Sequence, residues 1–471
     1  MKLFTFSLFL ILHLILVLAT VSDAGMIKDH QSIQGTFTSV AQVNNQCMEC
    51  HKQQADDVRK SIHWRWQRQR IINGKTVLSS KDKDLSRFAV AAGSNIKVCH
   101  RCHISTLPAS AATVAPPAAT TINCLVCHDT TGRYKSGVHL DELEEIARKA
   151  GRASVRNCRI CHERQCGLSP NNHQTAAGDV HLQKYGFTCW TCHPGGGHHL
   201  FRRTMIRNPQ RPEARGCASC HGQKIHTLAR LNRHALLIGC QSCHIPVYGD
   251  KHPVVVSWNW PATDSSYNLY SRNNSVISSG GFLQGSEIRP LYLWDDGSDT
   301  LYTRGDRVQP GHITILQGPG PRSPTSKIMP FSIQYGIQLE DRKFHYLLSP
   351  LLARQRAPFW KTTELQEAVT AGMRAILLPY SGESSTAVTV SLRRINHGVK
   401  PVDKALDCMD CHGSASRFSW RKLGYRQDPW IGGRENRQPP PATMNTPSIG
   451  LPPVEESVLP VMPKIPVIPV R

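Results

Sequence analysis

The feature that most constrains this chain is a five-residue pattern, Cys-x-x-Cys-His, which occurs eight times in 471 residues. Sixteen of the 17 cysteines belong to it, and Cys166 is the exception. The cysteine pairs are Cys47 and Cys50, Cys99 and Cys102, Cys124 and Cys127, Cys158 and Cys161, Cys189 and Cys192, Cys217 and Cys220, Cys240 and Cys243, and Cys408 and Cys411. The histidines that close the patterns are His51, His103, His128, His162, His193, His221, His244 and His412.

Two thiols one helical turn apart are spaced to form thioethers with the two vinyl groups of a porphyrin. The next residue then places an imidazole under the iron as its proximal ligand. Zinc ribbons and redox dithiols also use paired cysteines, but neither requires a histidine after every pair. The repeated pattern therefore predicts eight covalently bound c-type haems, here called haem 1 to haem 8 in the order of their motifs.

The spacing of the motifs predicts how the haems are arranged. The first seven motifs begin 23 to 52 residues apart, which is too short for a separate domain around each haem. The eighth begins at Cys408, after a gap of 168 residues from Cys240. We therefore expect a mainly α fold with extensive coil, organised around eight close-packed haems.

Composition shifts divide the chain into five expected segments. They are a signal peptide (1–24), a haem-rich region carrying haems 1 to 7 (25–250), a haem-free region wrapping the cluster (251–395), a haem 8 segment (396–430) and a proline-rich, disordered tail (431–471). Helices are expected from Cys47 to Gln69, from Leu140 to Ala150 and from Thr363 to Leu378, with short strands among turns between Val254 and Ser349.

The first residues predict export. A lysine at position 2 precedes an apolar run from Leu3 to Leu18, and small residues at Ser22 and Ala24 suit cleavage after Ala24. The alternative is an uncleaved anchor, which would attach the protein to a membrane; both place the body in the periplasm. The formal charge of +22 is spread along the chain without a nucleic-acid-binding signature, so we expect no nucleic-acid partner.

Eight of the 23 histidines close the motifs, which leaves 15 elsewhere. A haem that only carries electrons usually has a second imidazole on its iron. The favoured distal candidates are His30, His63, His181, His199 (or its neighbour His198), His226, His234 and His397. His100, His252, His312 and His345 are expected to be structural, while His139 and His173 stay undecided.

The segment from Cys124 to Lys135, Cys-Leu-Val-Cys-His-Asp-Thr-Thr-Gly-Arg-Tyr-Lys, resembles the octahaem tetrathionate reductase family. That family is related to hydroxylamine oxidoreductase and the multihaem nitrite reductases. Ser61-Ile-His-Trp, Leu231-Asn-Arg-His and Leu423-Gly-Tyr-Arg-Gln-Asp-Pro agree with it, and the resemblance spans about residues 28 to 430. It implies that haem 2, with His103 as proximal ligand, is catalytic and that Lys135 is its distal ligand.

The resemblance implies a reductase of small inorganic sulfur or nitrogen compounds: tetrathionate, nitrite or hydroxylamine. A neutral lysine amine is a displaceable ligand, so such a haem can admit substrate while bis-histidine haems deliver electrons. We expect a small inorganic anion as substrate and a quinol-linked or soluble cytochrome as redox donor. The alternative is a non-catalytic electron-transfer protein in which Lys135 takes no part; Cys166 is read as an incidental free thiol.

Overall fold

The computed structural model describes residues 30–65, 67–72, 75–80, 83, 85, 91, 93–95, 104–106, 121–134, 142–162, 178–193, 195–196, 198–200, 216–222, 224–250, 253–261, 278–279, 282–352 and 364–431. The signal peptide, Cys99, Cys102, His103, Lys135, Cys166 and nearly all of the tail lie outside these residues. The expectations made for them stay predictions.

The helices are short. In chain order they are α1 Val40–Cys50, α2 Lys52–Lys60, α3 Ile62–Arg65, α4 Leu125–His128, α5 Leu143–Arg148, α6 Val155–His162, α7 Val180–Gln183, α8 Cys189–Cys192, α9 Ala218–His221, α10 Ala229–Leu237, α11 Cys240–His244, α12 Leu365–Ala375 and α13 Cys408–Cys411. Seven of them, α1, α4, α6, α8, α9, α11 and α13, carry the seven motifs in the described part of the chain, so each motif occupies a helical turn, as attachment requires.

The single helix expected from Cys47 to Gln69 is wrong. The chain there forms α1, α2 and α3, and it is extended from Gln67 onward. Ser61 separates α2 from α3 with an extended backbone (ψ 161°), and its hydroxyl donates to the carbonyl of Val58 at 2.7 Å. The helices expected near Leu140 and Thr363 are present but shorter, as α5 and α12.

The strands correct the fold class. They are β1 Gln67–Ile72, β2 Lys75–Ser80, β3 Ser105–Thr106, β4 Thr121–Ile122, β5 Gly195–Gly196, β6 His199–Leu200, β7 Val254–Asn259, β8 Ser278–Ser279, β9 Phe282–Gly285, β10 Leu291–Asp295, β11 Asp299–Leu301, β12 Thr314–Pro319, β13 Lys327–Asp341 and β14 Ser384–Arg394. Ten of them form one mixed sheet, in the order β2-β1-β11-β12-β14-β13-β7-β9-β8 with β10 paired to β13. The fold combines this sheet with the haem-bearing helices and is not mainly α.

The sheet is built around β13, which is buried along most of its 15 residues. It pairs antiparallel with β14, from Phe331 opposite Arg394 to Asp341 opposite Ser384. It also pairs parallel with β7, where Tyr335 lies opposite Ser257. A strand buried on both faces shows no strict apolar alternation, and this is why the sequence suggested only short strand-like runs here.

The sheet directly positions the haem 7 motif. The backbone N–H of Gly239 donates to the carbonyl of Ile328 at 2.9 Å, and the hydroxyl of Ser242 donates to the same carbonyl at 2.8 Å. A Cβ atom at Gly239 would lie 2.1 Å from the sulfur of Met329, so a larger residue there would have to displace the Met329 side chain. The first residues of β13 therefore hold α11 in place.

The haem 8 motif packs on the same sheet. One buried apolar cluster joins Tyr292 and Trp294 of β10 to Cys411, Phe418 and Trp420. The indole N–H of Trp294 donates to the carbonyl of Leu423 at 2.9 Å. The hairpin β1–β2, which lies between the first two motifs, also joins the sheet, so the sheet extends beyond the segment 251–395.

Candidate haem-binding sites

Each motif histidine in the described part of the chain faces one histidine from outside the motifs. The ring centroids are 5.9 to 6.4 Å apart in all seven pairs. The pairs are His51 with His30, His128 with His198, His162 with His63, His193 with His397, His221 with His181, His244 with His226, and His412 with His234.

This separation fits a metal ion between two imidazoles. Two metal–imidazole bonds of about 2 Å put the coordinating nitrogens about 4 Å apart and the ring centroids, about 1 Å further out on each side, about 6 Å apart. Ordinary aromatic contacts also occur at this distance, but they would not join every such motif histidine to a non-motif histidine. The residues therefore fit seven bis-histidine haems.

Backbone carbonyls orient the ligands of haems 1 and 3. Nδ1 of His30 donates to the carbonyl of Ala150 at 2.9 Å, and Nδ1 of His128 donates to the carbonyl of Gly151 at 2.7 Å. Because a carbonyl only accepts, Nδ1 carries the proton in both rings and Nε2 keeps its lone pair for iron. The turn after α5 thus sets two ligands at once.

Carboxylates take the same position at haems 6 and 8. Nδ1 of His181 lies 2.9 Å from Oδ1 of Asp179, and Nδ1 of His412 lies 2.6 Å from Oδ1 of Asp428. Both aspartates are buried. A carboxylate draws the Nδ1 proton toward itself and makes the imidazole a stronger electron donor to its metal.

Burial favours the neutral, metal-binding form of several of these histidines. It lowers the pKa of His63, with a smaller contribution from His162. It also lowers the pKa of His234, where His412, Arg230 and Arg233 add to the effect. Desolvation disfavours the charged imidazolium, so these rings keep a free lone pair before haem is bound.

The motif cysteines show which attachment sites are neighbours. The side chains of Cys47 and Cys124 are hydrogen-bonded to each other. Cys158 and Cys189 are joined in the same way, as are Cys217 and Cys240. Cys127 interacts with Cys161, and Cys411 with Cys243. The sites thus form two series, 1–3–4–5 and 6–7–8.

Asp179 connects the two series. Its Oδ1 accepts the Nδ1 hydrogen of His181, the partner of the haem 6 histidine. Its Oδ2 accepts the backbone N–H groups of Gly398 and Val399, both at 3.1 Å. These follow His397, the partner of the haem 5 histidine, so one carboxylate positions ligand candidates of two haems.

Asn123 joins two residues that are next in sequence to the expected ligands of haem 2. Asn123 donates its backbone N–H to the carbonyl of Ile104 at 2.7 Å, and its side chain bonds to the hydroxyl of Tyr134 at 2.6 and 2.9 Å. Ile104 follows His103 and Tyr134 precedes Lys135 in the sequence. Both belong to the same buried apolar cluster, so the chain on either side of the expected ligands converges on Asn123.

The structure brings together most of the residues proposed from the sequence. His30, His63, His181, His226, His234 and His397 each face a motif histidine. At haem 3 the ring is that of His198, the neighbour of the favoured His199. Its backbone has a φ of +62°, a strained value for a non-glycine residue and one common at functional sites.

Other histidines lie apart from the pairs. His312 is exposed and contacts the carbonyl of Pro310, and His345 is bonded to Glu340 at 2.9 Å. His100, His139, His173 and His252 lie outside the described residues.

Sequence reasoning missed the roles of Asp179 and Asp428. The spacing Asp-x-His at 179–181 was the available signal for the first, whereas Asp428 is 16 residues from His412 and gave none.

The comparisons with known proteins agree with this geometry. A family model described as cytochrome c bacterial matches residues 256–415. The chain is also similar to a solved structure, the octahaem cytochrome c from Shewanella oneidensis, with 29% identity and a TM-score of 0.77. That similarity covers 88% of this chain and 100% of the other. No curated protein matched significantly.

The match supports covalent haem c as the cofactor of the repeated motifs. No disulfide joins any of the 14 motif cysteines that the structure describes. None of the described helices is long and apolar enough to cross a membrane.

Proposed function

This chain is an octahaem c-type cytochrome, and we propose that it is a periplasmic reductase of small inorganic sulfur or nitrogen compounds. Tetrathionate, nitrite and hydroxylamine are the proposed substrates. Lys135 is the proposed distal ligand of haem 2, which His103 holds from the other side, and the bis-histidine haems supply electrons. The N-terminal signal segment supports the periplasmic location.

The observation that carries the proposal is the position of Asn123. It bonds both to Ile104, one residue from His103, and to Tyr134, one residue from Lys135. Consecutive Cα atoms are about 3.8 Å apart, so Lys135 and His103 each begin one short step from residues held on Asn123. This adjacency supports Lys135 as a ligand of haem 2.

Tyr134 is held in place by burial and by hydrogen bonds. Its ring is buried, and its backbone N–H donates to Oδ2 of Asp129 at 3.1 Å. Asp129 in turn accepts hydrogen bonds from the backbone and hydroxyl of Thr131 at 2.8 and 2.6 Å. The turn between α4 and Lys135 is therefore ordered by side chains, which supports a fixed starting point for the lysine.

The histidine pairs support the proposed electron-delivering role of the other seven haems. All seven motif histidines that the structure describes face a second histidine, and six of the seven favoured distal candidates are used in these pairs. When bound, the haems exchange single electrons, and haem 2 offers an iron position that a displaceable ligand can vacate. The amine of Lys135 would leave that position and then place a positive charge, or a proton, beside a substrate anion.

The test is Lys135→Ala in the mature holoprotein. We expect the visible spectrum to show that the iron of one haem in eight has lost its distal ligand. Turnover of at least one of the three compounds should change by about tenfold or more. The control is Lys149→Ala, which removes an exposed lysine that pairs with Glu145 on α5. It should leave both the spectrum and the rates unchanged.

The competing function is a pure electron relay with every iron saturated. If Lys135→Ala retains the spectrum and the rates of the unmodified protein with all three compounds, the active-site assignment fails. The relay is then the better account, with a distal ligand for haem 2 other than Lys135.

A further inference from the structure

The proximal histidine of haem 8 is bonded to a buried carboxylate that cannot turn away. Nδ1 of His412 lies 2.6 Å from Oδ1 of Asp428, and the two side chains are 10% and 8% exposed. The backbone N–H of Gly413 donates to Oδ2 at 2.7 Å, and that of Trp430 donates to Oδ1 at 2.8 Å. These two bonds fix the orientation of the carboxylate toward the imidazole.

Two indole rings flank His412. The indole of Trp420 is stacked on the His412 ring with centroids 5.3 Å apart, and the ring of Trp430 lies 5.2 Å away. An apolar enclosure lowers the local dielectric and strengthens the charged hydrogen bond. The electron-donating effect of Asp428 on His412 is therefore larger than it would be at an exposed site.

The ligands of haems 3 and 6 have weaker partners. The motif histidine of haem 3, His128, donates to the neutral carbonyl of Gly151. At haem 6 the carboxylate of Asp179 acts on His181, which is not the motif histidine and whose side chain is 26% exposed. A ligand with more anionic character stabilises ferric over ferrous iron and lowers the reduction potential.

We infer that Asp428 is a positioning residue that makes haem 8 lower in reduction potential than haem 3. Haem 8 lies at the end of the 6–7–8 series of described motifs, so this carboxylate acts on the haem at one end of that series. The inference needs only that His412 ligates haem 8, and it holds whether or not the protein is a reductase.

The first test compares two substitutions that remove the same charge near haem 8. Asp428→Asn weakens the bond to His412, whereas Asp410→Asn, within the motif itself, removes a carboxylate that pairs with Arg417 at 3.0 Å. In redox titrations of the holoproteins, Asp428→Asn should shift one haem in eight toward easier reduction by about tenfold or more in its ferric/ferrous equilibrium, about 59 mV for one electron. Asp410→Asn should shift it much less.

The second test leaves Asp428 in place. His234→Ala should open haem 8 and His198→Ala should open haem 3, so that each protein contains one high-spin haem that can be titrated separately. The opened haem 8 should have the lower potential and, when reduced, the higher iron–histidine stretching frequency, because its proximal imidazole bonds to a carboxylate.

Two results would overturn the inference. One is an equal shift, or no shift, in Asp428→Asn and Asp410→Asn, which would make Asp428 a remote charge or a structural residue. The other is an opened haem 8 with the potential and stretching frequency of opened haem 3. If His234→Ala produces no high-spin haem, the pairing of His234 with His412 is wrong, and the first comparison still decides the role of Asp428.

Discussion

Asp179 accepts the Nδ1 hydrogen of His181 across 2.9 Å. Its second carboxylate oxygen accepts two backbone N–H groups directly after His397. The backbone N–H of Val180 also donates to the carbonyl of Val399 at 2.8 Å, so the two segments are joined at three points. Ligand candidates of haems 5 and 6 therefore share a single anchor.

Replacing Asp179 by asparagine should disturb two haems together. The amide NH2 group must face either His181 or the N–H groups of Gly398 and Val399, and a donor there meets another donor. We expect changes in the low-spin electron paramagnetic resonance signals of two haems. Asp306→Asn, at an exposed turn of the sheet, is the control; a change in fewer than two haems would show that Asp179 does not couple the sites.

The neighbouring histidines 198 and 199 provide a direct test of the haem 3 pair. His198→Ala should convert one low-spin haem to a high-spin form, because its ring faces His128 at 6.1 Å. His199→Ala should leave all haems low-spin. Visible and electron paramagnetic resonance spectra of the two holoproteins measure this, and the reverse pattern would assign the ligand to His199.

A buried ion-pair network holds the sheet near the end of β14. Arg394 donates to Asp295 at 2.6 and 2.7 Å and to Asp299 at 2.7 Å. Arg394→Ala leaves two buried carboxylates without this partner, so the free energy of unfolding should fall by about 3–5 kcal/mol.

The matched control for this network is the exposed pair Arg342–Glu383, whose nitrogen and oxygen are 3.8 Å apart. Arg342→Ala should cost about 1 kcal/mol or less, because solvent screens the pair. Guanidinium titration of both holoproteins gives the comparison. Equal losses would indicate that the buried network does not stabilise the sheet.

Cysteine chemistry tests the haem number. Sixteen motif cysteines should form thioethers and Cys166 should remain a thiol. Mass spectrometry and alkaline pyridine spectra should therefore report eight haems per chain, with one alkylation after denaturation. Cys166→Ser should remove the alkylation without altering the haem count. Seven haems in the mature protein would contradict the prediction.

The sequence predicts the proximal, motif side of each haem better than its distal side. The motif side is local: Cys408, Cys411 and His412 lie within one helical turn, and covalent attachment requires that spacing wherever the motif falls. The count of eight and the proximal histidines follow from it. The same reasoning could not choose between His198 and His199, because a single turn decides which ring points inward.

The partners and the sheet were decided by the tertiary structure. His397 faces His193 across 204 residues, and Asp428 reaches His412 from a different turn; no short-range pattern records either contact. Strand β1 shows why the sheet was missed, since Gln67–Ile72 follows three helices and becomes extended only by pairing with β2 and β11. Thus the sequence by itself determined which residues bind haem covalently, because that chemistry acts over five residues. Only the folded chain decided the opposing ligands, their hydrogen-bond partners and the sheet, because these require distant segments to meet.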